Sequence, residues 1–241
     1  MDDNAAKAVQ SAHTRARIIL ILLQILIGFS ILYAISAFWQ IKLLSALSTK
    51  YALAPGSEYG IESIQDIIGL GQGLINLTAV VTFLMWMYKS HSILEALGAK
   101  TLEYSPGWTI AAFIVPFYSI VRPFQVMSEI WRASDPNRDD QQSWRWENPP
   151  RILRWWWGFV LLRVVVQTIL SKLEPNLAVV NYVGQMITHN YWSIASELIE
   201  IAAAIAAIQA IGSIRDRQTE GLKRLPVATQ IPVPPPLPEQ A

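Results

Sequence analysis

The chain contains no cysteine among its 241 residues, which excludes disulfides, thiolate metal sites and thiol nucleophiles. It is also short of charge: 15% of residues are charged, where an average soluble domain carries about 25%. The net charge is only +1, so no field of one sign is present to attract nucleic acid or another polyanion. Histidine is scarce, and His13, His91 and His189 are scattered, giving neither a three-ligand metal site nor a nucleophile–base pair. His91 reads as a surface or capping residue. The Asp139-Asp140 pair in "SDPNRDDQQSWRWENPP" has no ligand spacing and reads as a solvated loop. No internal repeat is evident, which leaves an inverted-repeat transporter unsupported. No enzyme, metal, cofactor or nucleic-acid partner is expected. The one enzymatic alternative left open is a lipid-modifying activity using Glu197 and Glu200.

What is abundant is apolar sequence, 52% of the chain. Four segments reach the roughly 20 apolar residues needed to cross a hydrocarbon core about 30 Å thick. The first, Ile18 to Ile41, carries no charge and is too long for the apolar part of a signal peptide. The second runs from Ile67 to Tyr88, the third from about Ile152 to Leu173 around Arg163, and the fourth from Ser193 to Ile214 with Glu197 and Glu200 inside it. These predict an all-α integral membrane protein. Residues 1–17 are its cytoplasmic N-terminal segment, 18–214 the helical membrane domain, and 215–241 a cytoplasmic tail.

A fifth apolar stretch, "GWTIAAFIVPFYSIV" from Gly107 to Val121, is only 15 residues long, about 22 Å as a helix. Ser105 and Pro106 predict a start, as N-cap and first helical residue. Pro116 favours a kink or break, and Arg122-Pro123 predicts a stop. The basic residues choose its path. Lys7, Arg15 and Arg17 precede the first span, Lys89 and Lys100 follow the second, and Arg122, Arg132, Arg138, Arg145, Arg151 and Arg154 lie between the short stretch and the third span. Arg215, Arg217, Lys223 and Arg224 follow the fourth. If residues 105–121 form a re-entrant or interfacial segment, all of these face the cytoplasm, as the positive-inside rule favours. Only Lys42, Lys50, Arg163 and Lys172 fall elsewhere. Both termini are then cytoplasmic in a bacterial inner membrane.

Tryptophan fits that scheme, with Trp39 and Trp192 at outer span ends and Trp86, Trp108, Trp131 and the triplet Trp155 to Trp157 at inner ends. "PFQVMSEIWRAS" is amphipathic, with Phe124, Met127, Ile130 and Trp131 on one side and Gln125, Ser128, Glu129 and Arg132 mostly opposite. It predicts a helix on the cytoplasmic surface, its arginine near lipid phosphates. "KSHSILEALGAK" predicts an apolar stripe of Ile93, Leu94 and Leu97 ending at Gly98 and packed beneath the bundle. The tail from Leu225 to Ala241 holds six prolines, predicting an extended, disordered spacer or a ligand for a proline-binding domain.

The run from Met85 to Leu162 resembles a bacterial membrane family known as domain of unknown function 4328. The motifs are Trp86 to Lys89, Leu97 to Ala99, Ser105-Pro106-Gly107-Trp108, Val115-Pro116, Arg122-Pro123 and Trp155 to Trp157. "SHSI" stands where that family's first motif shows an asparagine. The resemblance implies a multi-helix membrane protein and carries no assigned activity.

Polar residues inside the spans are the best functional candidates, since a charge at the bilayer centre costs about 2.5 to 3.5 kcal/mol on insertion scales. Arg163 needs a partner there. Gln167 shares its face one turn outward, and Glu197 and Glu200 share a face of the last span. This intramembrane cluster reads either as a structural ion pair ordering the bundle or as the lining of a cavity or proton path. In "GLGQGLINL", Gly69 and Gly73 predict close helix packing, and Gln72 and Asn76 stack one turn apart. These glycines do not make a dinucleotide fingerprint, because no strand precedes them. Asn76-Leu77-Thr78 is a chance glycosylation sequon. Two functions are expected: first, a membrane interaction or scaffold protein that holds lipids, a protein partner or a second copy at its cytoplasmic face; alternatively, a small transporter or channel-like protein built on the Arg163 cluster.

Overall fold

A computed structural model of the chain describes residues 3–50, 59–137, 143–173, 175 and 182–224. Among them are six α-helices, a 3-10 turn and no strand: α1 (Asp3–Lys50), α2 (Tyr59–Ser92), α3 (Trp108–Ile114), α4 (Tyr118–Ala133), the turn Ser143–Trp146, α5 (Arg151–Leu170) and α6 (Tyr182–Arg224). Four stretches are long and apolar enough to cross a membrane: Lys7–Ala46, Ile64–Ser92, Arg151–Leu170 and Tyr182–Arg224. Large apolar side chains stay exposed along them, among them Ile35 and Phe38 of α1, Leu70 and Leu74 of α2, Val164 of α5 and Leu198 of α6. A helix apolar all round suits lipid as its solvent. The protein is therefore a multi-pass membrane protein of the all-α class.

Helices α1, α2 and α6 run past their expected ends because flanking residues pack too, whereas α5 stops at Leu170, short of the expected Leu173. In α1, Val9 and Ala12 are buried with Ile93 and Leu97, so the helix packs on the bundle before the first apolar run begins. At the other end, α6 continues ten residues beyond Ile214 to Arg224. There Gln218 Nε2 donates to the Ser90 carbonyl at 3.1 Å, to Ser90 Oγ at 2.8 Å and to Ser134 Oγ at 3.2 Å. As expected, Ile93, Leu94 and Leu97 are buried beneath the bundle, and the turn ends at Gly98, whose φ of 90° only glycine adopts without strain. The proline tail and the Asp139-Asp140 pair lie outside the described residues.

α1 packs on both α6 and α2, and α5 packs on α6, whereas the backbones of α2 and α5 do not approach one another. The order around the bundle is thus α2, α1, α6, α5, with one side open. One end is closed by rings: Phe83 lies 5.6 Å from Trp86, 6.0 Å from Phe113 and 5.7 Å from Trp156, and Phe113 meets Trp157 edge-on at 6.0 Å. Each such pair is worth about 0.5 to 1.5 kcal/mol beyond area burial. They hold α3 against α2 and α5. The tryptophans expected at interfaces accordingly divide, with Trp39, Trp108, Trp155 and Trp192 exposed and Trp86, Trp131, Trp156 and Trp157 buried.

The proline-interrupted stretch forms a hairpin. α3 begins at Trp108, with Gly107 rather than Ser105 before it; the Ser105 and Pro106 carbonyls accept from the Trp108 and Thr109 amides at 2.9 and 3.2 Å. Pro116 forces Val115 into extended backbone (φ −74°, ψ 120°). Phe117 then takes φ 63°, ψ −41°, and the Tyr118 amide bonds the Pro116 carbonyl at 2.8 Å, a γ-turn of the rare positive-φ kind. Arg122-Pro123 is not a stop, because α4 runs through both to Ala133. Arg122 instead grips Tyr104: its Nη1 donates to the Tyr104 hydroxyl at 2.7 Å and to Gln125 Oε1 at 3.2 Å. Burial raises the Tyr104 phenol above its ordinary pKa, with the Arg122 bond opposing.

α4 does not lie on a surface with its polar side free. Ser128 and Glu129 are as buried as Met127 and Ile130. The Glu129 carboxylate accepts from the Glu103 amide, from the Tyr104 amide at 3.2 Å and from His91 Nε2 at 3.3 Å. This corrects the reading of His91, which is 1% exposed. Glu129 ties the end of α4 to the residues just before α3, so the hairpin returns to the end of the bundle it left.

Candidate functional site

Four helices bring one polar cluster together, and it joins residues that the sequence separates into two groups. From α5, Arg163 Nη2 donates to Glu200 Oε2 of α6 at 2.8 Å. From α2, Gln72 Nε2 donates to Glu200 Oε2 at 2.9 Å and to Glu197 Oε2 at 2.7 Å, and sits 3.1 Å from Ser30 Oγ of α1. One turn on, Asn76 Nδ2 donates to Glu200 Oε1 at 2.8 Å. Glu197 and Glu200 are both nearly fully buried. The three-residue spacing puts them on one face of α6, and the four-residue spacing does the same for Gln72 and Asn76 on α2. Neither spacing alone reveals that the two faces meet.

Gln167, expected beside Arg163, reaches Ser196 Oγ at 3.2 Å instead. Gly69 and Gly73 are not points of close approach: a Cβ on Gly73 would meet nothing within 4 Å, and one on Gly69 only the Tyr33 ring at 3.9 Å. The tight glycine is Gly71, where a Cβ would lie 2.8 Å from the Phe29 ring. The motif residues Ser105, Pro106, Gly107, Trp108, Pro116, Arg122 and Pro123 shape the α3–α4 hairpin and make none of the hydrogen bonds of this cluster.

The charges do not balance inside the cluster. Two carboxylates face a single guanidinium, and their other partners, Gln72, Asn76 and Ser30, are neutral. Arg163 is itself incompletely matched, since its Nε is buried without a hydrogen-bond partner. In an apolar surrounding an uncompensated charge is costly enough to bind a proton or recruit a counter-ion.

The open side of the bundle leads to the cluster. A cleft of about 620 Å³ between α2 and α5 is walled by Val80, Trp156 and Val160, floored by Ala203 and Ala207, and reaches Asn76, Arg163 and Glu200. The small alanines of α6 leave that room. A second cavity of about 250 Å³, lined by Tyr33, His189, Ser193 and Glu197, reaches the other carboxylate. Gln167 and Ser171 line both. Among the described residues no group of three His, Asp or Glu is placed to hold a metal ion.

No curated protein and no solved structure matches the chain. Residues 50–216 match the family model described as Domain of unknown function (DUF4328). That segment takes in α2 to α5, the cluster apart from Ser30, and most of α6, and the chain belongs to this family.

Proposed function

We propose that this is a small transporter or channel-like protein of the bacterial cytoplasmic membrane, moving protons through its bundle by way of Glu197 and Glu200. The single observation that carries the reading is the buried carboxylate pair bridged by Gln72, of which Glu200 alone is paired with Arg163 and lines the α2–α5 cleft. Two carboxylates that one cation cannot neutralise together take up and release a proton more readily than an isolated buried acid. The two cavities give that proton an approach from either side of the pair. Arg163 holds Glu200 by a charge-assisted hydrogen bond, and Gln72, bonded to both carboxylates, orients them. In this reading the protein is a conduit for protons.

In this reading the four long helices cross the membrane and both ends of the chain are cytoplasmic. The α3–α4 hairpin enters the cytoplasmic leaflet and returns. Two features support that path: Glu129 joins the two ends of the hairpin, and the arginines that follow it then lie on the side the positive-inside rule prefers. The Trp157 indole, about 9 Å along α5 from Arg163, donates to the Ile120 carbonyl at 2.7 Å. The hairpin tip thus stays on the inner side of the cluster.

The test is proton flux into liposomes carrying the purified protein and a trapped pH-sensitive dye. After a pH step the wild type is expected to acidify the lumen well above protein-free liposomes, and Glu200→Gln to lower the rate about tenfold or more. A wild-type rate equal to that of empty liposomes, or an unchanged rate in Glu200→Gln, would return the protein to the scaffold reading, in which the bundle is sealed.

A further inference from the structure

A second cavity system lies at the inner end of the bundle, away from the carboxylate pair. It encloses about 530 Å³, within the range of small-molecule sites, and its lining includes Gln125, Arg132, Trp144, Arg145, Trp146 and Asn148. Arg132 is the anomaly there. Among the described residues its side chain makes no hydrogen bond or ion pair, and its Nε is buried without a partner. A guanidinium carries five donors in a fixed fork suited to phosphate, and an orphaned buried donor of this kind is costly.

Arg145 brings a second positive charge to the same cavity, its guanidinium 5.8 Å over the Trp144 ring and its Nη2 bonded to the Thr101 carbonyl. The acidic residues that share the lining are Glu103 and Glu129. Glu129 is spent on two backbone amides and His91, and Glu103 is exposed at the rim. The formal charges of the two arginines and two glutamates cancel, but both Glu129 oxygens are turned to protein donors, so the unpartnered Arg132 guanidinium is the group left to take an anion.

Depth points the same way. Trp131, next to Arg132, donates from its indole to Ser213 at 3.0 Å, and Ser213 is 13 residues along α6 from Glu200, about 20 Å. With half a hydrocarbon core of about 15 Å, Arg132 falls at the level of the phosphate layer if the carboxylate pair is near the midplane. Trp146, 87% exposed beside it, is the kind of side chain that favours that layer.

We infer that the cavity bounded by Arg132, Arg145 and Asn148 is a binding site for a phosphate-bearing anion, independent of the proton path. Two sources share that chemistry, a phospholipid headgroup and a soluble organophosphate. The test is native mass spectrometry of the full chain in neutral detergent with phosphatidylglycerol, with diacylglycerol as its phosphate-free counterpart, and with glycerol 1-phosphate as competitor. The wild type is expected to retain phosphatidylglycerol and not diacylglycerol. Arg132→Met and Arg145→Gln should each weaken retention about tenfold, or about 1.4 kcal/mol, while Arg151→Gln, on an exposed residue outside the cavity, leaves it unchanged. Displacement by glycerol 1-phosphate assigns the site to soluble phosphates, and resistance to it assigns the site to the lipid headgroup. Arg145 sits on a surface turn, so its variant keeps the test open should Arg132→Met fail to fold. Retention unchanged in both arginine variants, or diacylglycerol held as tightly as phosphatidylglycerol, would overturn the site.

Discussion

Glu200→Ala is expected to destabilise the bundle by about 3 to 5 kcal/mol, the cost of breaking a buried ion pair by removing one partner. Three donors lose their acceptor at once: Arg163 at 2.8 Å, Gln72 at 2.9 Å and Asn76 at 2.8 Å. The charge left on Arg163 then has no counter-ion nearer than Glu197. At roughly 2 to 4 °C per kcal/mol for a chain of this size, the midpoint of thermal unfolding in detergent should fall by about 10 °C. A double variant, Glu200→Leu with Arg163→Met, removes both charges and should recover much of that loss, since apolar replacement of a buried pair is often neutral. A double-variant loss equal to the sum of the losses in Glu200→Leu and Arg163→Met alone would mean that the two residues are not coupled.

The second large effect is expected at Glu129. Glu129→Ala strands the amides of Glu103 and Tyr104 and leaves His91 Nε2 without an acceptor. At about 1 to 3 kcal/mol for each buried group left unsatisfied, the local cost reaches about 3 kcal/mol or more. Because these bonds pin the residues before α3 to the end of α4, the loss should be local before it is global. Amide hydrogen exchange across residues 99–107 is expected to rise about a hundredfold or more, while the middle of α6 keeps its protection. Unchanged exchange at Glu103 and Tyr104 would show that the hairpin is held by Phe113 and its ring neighbours alone.

The spans were legible because length and hydropathy fix them with little help from tertiary context; Ile18–Ile41 lies within α1 and Ser193–Ile214 within α6. Their ends were not. The charged first turns of α1 and last turns of α6 look like solvated flanks, and only the packing of Val9 and Ala12 on Leu97, and of Gln218 on Ser90, makes them part of the bundle. The break at Pro116 could be read from the loss of a backbone donor, whereas Arg122-Pro123, expected as a stop, lies inside α4. Both prolines obey the same rule, and neighbouring contacts decide which one bends the chain. The polar face of α4 shows a general limit: periodicity reports that Ser128 and Glu129 avoid the apolar side of their own helix, and says nothing of whether water or protein meets them.

The candidate cluster was half visible. Arg163, Glu197 and Glu200 stand out as charges inside apolar runs, and Gln72 and Asn76 as amides on one helical face. That all five meet depends on how α2, α5 and α6 rotate about α1, which no local pattern encodes. The orphaned donors of Arg132 had no signal in the sequence beyond the presence of an arginine, because partner satisfaction is a property of the folded chain. Gly71 differs from Gly69 and Gly73 only through the Phe29 ring of α1 that faces it.

The central claim is that water reaches the carboxylate pair through the open side of the bundle. The chain's lack of cysteine makes the decisive measurement direct: single cysteines at Val160 and Ala203, both lining the cleft beside Arg163 and Glu200, and one at Leu198 on the exposed apolar surface of α6, treated with a charged, membrane-impermeant thiol reagent in sealed vesicles of each orientation. The account predicts rapid modification at Val160→Cys and Ala203→Cys and none at Leu198→Cys. Protection of all three positions from both sides would show a cleft filled by lipid and contradict it.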